Sequence, residues 1–192
     1  MVGVDTKKFF PMPYLKNDRF TFLSIRPTSS IYNPNMIICA FEKANLDAQL
    51  LMKEPATYDV VPYPLGDKVK FYPARSYDEM PALYNQSHVG ISVPSWDGCS
   101  PALLECMACG IPVITSDIDQ NLGWVDPALN PNPSPNLSAI DQLSNLMTQA
   151  YMMPRAVLET IGWSAREKVK AKAEFDTEMR KAEAIYQEVL RR

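Results

Sequence analysis

Along the first 116 positions, apolar β-favouring runs alternate with stretches whose apolar residues recur at helical spacing. That alternation is the pattern of βαβ units around a parallel sheet. It predicts strands at about 20–25, 48–53, 68–72, 88–93 and 111–116, with helices at about 34–45, 77–87 and 101–109. The segment 54–67 carries three prolines and a glycine and reads as irregular. After Ser116 a proline-bearing loop runs over 117–136, and three helices follow at about 137–152, 155–173 and 177–190. The expected fold is α/β: a Rossmann-like, doubly wound parallel sheet of order 3-2-1-4-5, with room for a sixth strand, and C-terminal helices. No internal repeat interrupts it. In the last helix, Met179, Ala182, Ile185, Tyr186 and Val189 form an apolar face spanning two heptads. That face is expected to pack on the sheet or on a further domain rather than in a coiled coil.

Composition narrows the class. A chain of 192 residues that is 46% hydrophobic can bury one core, so residues 1–192 are expected to form a single domain. Its 19 basic and 22 acidic residues give a net charge of −3 without a basic patch, which argues against nucleic acid as a partner. No apolar run approaches the roughly 20 residues of a spanning helix, and the N-terminus lacks a basic-then-apolar leader, so a cytoplasmic location is expected. Cys39, Cys99, Cys106 and Cys109 read as reduced thiols in apolar surroundings. A zinc site built from Cys106-x-x-Cys109 with Cys99 and His88 is the weaker reading, because that pair falls on a helix rather than a turn.

The glycines at 3, 66, 90, 98, 110, 123 and 162 are too far apart for a Gly-x-Gly-x-x-Gly turn or a Walker loop. The single histidine, His88, opens an apolar strand and leaves no Ser-His-Asp arrangement. One anion-binding device remains, in the stretch from Val93 to Val113. It leaves a strand, turns at Gly98 and enters a helix with Ser100 as N-cap and Pro101 at the first position. Such a start offers free N–H groups and the positive end of a dipole to a diphosphate. Asp97 lies just ahead of it and Glu105 projects from its second turn, two carboxylates able to accept hydrogen bonds from hydroxyl groups.

Asp97 and Glu105 stand eight positions apart and are followed by Ala108-Cys109-Gly110-Ile111-Pro112-Val113. This segment resembles the donor-site signature of the GT-B retaining glycosyltransferases of group 1 (family 4 type). Other pieces fall in that family's order. Gly3-Val4-Asp5-Thr6 with Phe9 or Phe10 and Pro11 resembles the interdomain linker (1–11). Phe22-Leu23-Ser24-Ile25-Arg26 resembles the first strand with its phosphate-binding arginine, and Val69-Lys70-Phe71 through Leu83-Tyr84 the base-binding strand and helix.

The resemblance implies the donor half of an enzyme that transfers a hexose, mannose or glucose among the options, from a nucleoside diphosphate to an acceptor hydroxyl, with no metal and no cofactor beyond the nucleotide sugar. It assigns Asp97 to the donor sugar as the catalytic residue, Glu105 to the ribose, and Arg26 with the N–H groups of Gly98, Cys99 and Ser100 to the diphosphate. Pro73 and its neighbours to Ser76 fall to the base. Tyr32 stands near the family's usual lysine and either reaches a phosphate or packs. Asp97 is one methylene shorter than the usual glutamate, and Gly123 replaces a common acidic residue. The resemblance further implies a preceding acceptor-binding half of some 170 to 200 residues. The chain would then be a piece cut from a longer enzyme, which is the favoured option, or a remnant or one subunit of a split enzyme, inactive by itself, with peripheral membrane contact left open for the whole. Two other readings compete: a non-catalytic binding or assembly module, and a nucleotide-sugar epimerase, which a single histidine disfavours.

Overall fold

The computed structural model describes residues 3–55, 65–98, 100–129 and 137–191. Five strands form one parallel sheet: β1 (Phe20–Ser24), β2 (Ala48–Lys53), β3 (Val69–Tyr72), β4 (Val89–Ser92) and β5 (Val113–Thr115). Their order is β3-β2-β1-β4-β5, as predicted, and no sixth strand occurs among the described residues. The register sets Phe22 against Leu50 and Val89, so β1 lies at the centre with β4 as its neighbour. All five residues of β1 are buried, as a strand covered on both faces requires.

Alternation along the central strand divides the interior in two. Phe20 and Phe22 point into a core with Ile37, Ile38 and Phe41 of α1 (Pro34–Ala44). Leu143 and Met147 of a later helix, α5 (Ala139–Met152), complete that layer. On the other face, Leu23 and Ile25 meet α2 (Met80–Asn85) and α3 (Pro101–Ala108). Ala165 and Val169 of α6 (Arg155–Ala173) close this second layer. The sheet is therefore doubly wound.

Several boundaries differ from the sequence reading, each for a local reason. The helix expected from 77 begins at Met80, because Pro81 belongs in a first turn and the Glu79 carboxylate folds back to accept from the Ser76 backbone N–H at 2.9 Å. The last strand starts at Val113, after Pro112, which has no N–H to give. The expected loop 117–136 holds a one-turn helix, α4 (Asp119–Leu122), and a 3-10 turn at Pro127–Leu129; its residues 130–136 lie outside the described set, as does most of 54–67. Two further 3-10 turns, Pro13–Leu15 and Ser30–Tyr32, were not foreseen.

The final helix, α7 (Phe175–Leu190), starts two residues earlier than expected, after a break at Glu174 alone. That break pairs with the N-terminal strap: Val4 N–H donates to Ala173 O at 2.8 Å and Phe175 N–H to Val4 O at 3.0 Å. The apolar face of α7 does not reach the sheet; Met179, Ile185, Tyr186 and Val189 are all exposed. Among the described residues no helix is long and apolar enough to cross a membrane.

Candidate functional site

Because β1 and β4 are adjacent and parallel, the loops leaving their carboxyl ends meet at the switch point of the sheet. Asn33 ties them together. It sits in the left-handed region (φ 53°) ahead of Pro34, and its Nδ2 donates to Val93 O and Ser95 Oγ, both at 2.9 Å. Ser95 N–H returns a bond to Ile31 O at 2.9 Å. Sequence reasoning passed over Asn33. An asparagine preceding a proline at a helix start was the available signal.

Where the loops join, α3 begins as predicted. Ser100 is its N-cap and accepts from Leu103 N–H at 3.2 Å. The helix ends in a Schellman motif: Ile111 N–H donates to Cys106 O and Gly110 N–H to Met107 O, with Gly110 at φ 73°. That explains the Ala-Cys-Gly-Ile run, since only glycine turns left-handed there without strain.

Around the helix start the structure gathers five of the predicted residues, Arg26, Tyr32, Asp97, Gly98 and Ser100. Arg26 follows β1 and is only 9% exposed. Its Nη1 donates to Ser100 Oγ, its Nη2 lies 3.0 Å from Asp97 Oδ2, and its guanidinium carbon stands 4.2 Å from the centre of the Tyr32 ring. Tyr32 thus packs against the arginine as a cation–π partner. The Arg26–Asp97 contact is an ion pair without hydrogen-bond alignment, since Asp97 Oδ2 and Arg26 Nε are both buried with no hydrogen-bond partner among the described residues. The other Asp97 oxygen accepts from Gly98 N–H at 2.9 Å. Cys99 lies outside the described residues. An unsatisfied guanidinium N–H beside a helix amino end is a strong attractor for an oxyanion.

The remaining predicted residues stand apart from this cluster. Glu105, on the second turn of α3, accepts from Tyr84 Oη at 3.0 Å. Burial raises its carboxyl above the usual range, against the opposing pull of the Tyr84 hydrogen bond and of Lys8. Pro73 is exposed just beyond β3, the edge strand two places from β1. Among the described residues no hydrogen bond or ion pair joins Glu105 or Pro73 to the Arg26 group.

His88 serves the fold. Its Nδ1 accepts from Thr21 N–H at 3.0 Å and its ring stacks on Phe20. Cys106 and Cys109 are buried, and burial pushes both thiols up, the latter to about 12. The chain does contain one Asp-x-Asp sequence, Asp117-Ile118-Asp119, both of whose carboxylates are on exposed residues. Among the described residues no three His, Cys, Asp or Glu side chains are grouped to hold a metal ion.

The fold recurs in solved structures. Sucrose-phosphate synthase from Thermosynechococcus elongatus superposes with a TM-score of 0.83 at 20% identity, over 98% of this chain and 51% of that one. HepE from Anabaena, in complex with UDP-glucose, gives 0.79 at 15% identity, over 96% and 56%. The C-terminal domain of a glycosyl transferase group 1 family protein (LpcC) from Francisella tularensis gives 0.74 at 14% identity, over 90% of this chain and 100% of that domain. The chain therefore spans about half the length of the first two. None of the curated proteins matches it in sequence. Residues 13–130, which hold the Arg26 cluster, α3 and Glu105, match the family described as glycosyl transferases group 1. The chain belongs to that family.

Proposed function

We propose that the chain is the donor-binding half of a retaining glycosyltransferase that moves a hexosyl group from a nucleoside diphosphate to an acceptor hydroxyl. One observation carries this reading: a buried arginine with an unsatisfied N–H is clamped at the amino end of α3, where the β1 and β4 loops meet. A diphosphate would take the place of Asp97 on Arg26, with the Gly98–Ser100 turn as the second grip. That exchange would free the Asp97 carboxylate to orient hydroxyls of the donor sugar. Charge building on the departing diphosphate would be met by Arg26 and the helix end, which is electrostatic stabilisation without a metal. Glu105 would hold the ribose, and the turn from Pro73 the base. HepE, crystallised with UDP-glucose, supports a nucleotide-sugar ligand of this class. The acceptor would be supplied by a second half, whose surface the exposed apolar stripe of α7 would meet.

Calorimetric titration with UDP and GDP tests the site. Arg26→Met should weaken the preferred nucleotide by about 10- to 100-fold, the loss of a charge-assisted contact. Undiminished binding by both Arg26→Met and Glu105→Ala would refute the pocket. The Arg26–Asp97 pair also favours a second reading, a binding module whose arginine is permanently neutralised. Fusing the acceptor half and assaying sugar transfer, with the product anomer read by NMR, separates the two.

A further inference from the structure

We propose that Tyr84 is a positioning residue that holds the Glu105 carboxylate in place for the ribose hydroxyls of the donor. The inference rests on the donor-pocket reading above and adds to it a residue on a different element. Tyr84 is 1% exposed, and a phenol so deeply buried needs a partner for its hydroxyl. Its partner is Glu105 Oε2, at 3.0 Å. Glu105 Oε1 has no hydrogen-bond partner among the described residues, so one oxygen is fixed by the protein and the other is left to a ligand.

The phenol is well suited to the task because its own position is fixed from two sides. Phe9 of the N-terminal strap, fully buried, lies 6.1 Å away, ring centre to ring centre. The next residue, Asn85, locks α2 to the same strap: it accepts from Met12 N–H at 2.6 Å and donates to Phe10 O at 3.0 Å and Pro81 O at 2.8 Å. Glu105 by contrast has three side-chain bonds to rotate, and among the described residues no other hydrogen bond or ion pair holds its carboxylate. Removing the hydroxyl would leave the carboxylate free to turn away, while the ring and the fold stay.

Electrostatics points the same way. The groups acting on Glu105 are Tyr84 of α2 and Lys8 of the strap, while Tyr77 ahead of α2 and Cys106 and Cys109 of its own helix feel the charge of Glu105 rather than set it. Lys8 is itself occupied by Asp78 and by the Tyr77 ring, 3.8 Å from its Nζ. The Tyr84 hydrogen bond thus acts with Lys8 to keep the half-buried carboxyl ionised, the state in which it accepts from two hydroxyls.

The test is Tyr84→Phe in the full chain, with far-UV circular dichroism to confirm the fold. Dissociation constants for UDP and GDP are measured from pH 5 to 8, and those for the 2′-deoxy counterparts at pH 7.5. We expect the ribonucleotide to bind about 3- to 10-fold more weakly at pH 7.5 and to lose affinity about one pH unit earlier as the pH falls. Its advantage over the deoxynucleotide should shrink as well. Glu105→Gln, which keeps an oxygen for the phenol to donate to, should remove the part of the acid loss that Glu105 brings and leave only that from protonation of the diphosphate itself at about pH 6. An unchanged pH profile and an unchanged ribose preference in Tyr84→Phe overturn the role of Tyr84 alone. A wild-type chain that binds neither nucleotide, or binds ribo and deoxy forms alike, overturns the ribose reading of Glu105 and Tyr84 with it.

Discussion

Replacing Gly162 with alanine pits two effects against each other, and the structure says which prevails. Alanine is the better helix former by about 1 kcal/mol, so on propensity alone Gly162→Ala, in the middle of α6, would stabilise the protein. A Cβ placed there, however, would lie 2.0 Å from Gly110 O, 2.9 Å from Gly110 C and 3.3 Å from Pro112 Cδ. Two of these atoms are backbone in the turn that ends α3, so no side-chain rotation relieves the clash. The helix must retreat by more than about 1 Å to restore ordinary contact. Retreat loosens Ala165 and Val169 in the second core and the bonds Arg166 makes to Phe9 O at 2.9 Å and to Ala108 O. Overpacking of this kind costs about 1–3 kcal/mol, and disturbing a charged hydrogen bond adds about 1.5 kcal/mol. Less the propensity gain, the net loss is about 1.5–3.5 kcal/mol, or a fall in Tm of roughly 3–14 °C for a chain of this size. Urea unfolding followed by circular dichroism measures it. Gly123→Ala, where a Cβ would meet nothing within 4 Å, is the control and should stay within about 0.5 kcal/mol of wild type. A Gly162→Ala protein as stable as wild type, or more so, would show that α6 does not pack this closely on the end of α3.

Arg166→Met should destabilise the chain by about 2–3 kcal/mol in the same unfolding assay, because it strips carbonyls of Thr6, Phe9 and Ala108 of their donor; a loss below about 0.5 kcal/mol would count against the staple. The His88 ring is depressed from 6.5 to about 3, first by burial and then by Arg155 and Lys16. The unfolded chain therefore binds the proton more readily. Stability from this group is full above pH 6.5 and falls as the pH drops toward 3, by at most about 1.4 kcal/mol per pH unit. His88→Gln should flatten that slope when urea midpoints are compared between pH 7 and pH 4.5.

The sheet and α3 were legible in the sequence because their signals are local. A run such as Phe-Thr-Phe-Leu-Ser-Ile has apolar residues on both faces, and Ser100-Pro101 with Gly110 marks a helix at both ends. The contacts that organise the site are not local. Arg166 looks like one more basic residue on a long charged helix; its task appears only once the strap is seen to run beneath it. The direction of the α7 face is written in its period, but a period does not say what covers it. Tyr84 was readable as part of a helix after the third strand, whereas its bond to a carboxylate 21 positions on depends on α2 and α3 lying side by side.

The same distinction governs Asp97 and Arg26. Sequence places each beside an anion site and assigns them separate duties, one to the sugar and one to the diphosphate. In the folded chain they face each other at 3.0 Å, with side chains 15% and 10% exposed. A close pair this poorly solvated is favourable only while each charge keeps a partner, so neither residue can be removed without stranding the other. A diphosphate is a fitting replacement partner, because it carries more negative charge than one carboxylate and can also reach the vacant Nε. Asp97→Asn should accordingly tighten binding of a free nucleoside diphosphate while lowering sugar transfer in the completed enzyme. Weaker diphosphate binding by Asp97→Asn would mean that the carboxylate holds Arg26 in position for the ligand rather than competing with it.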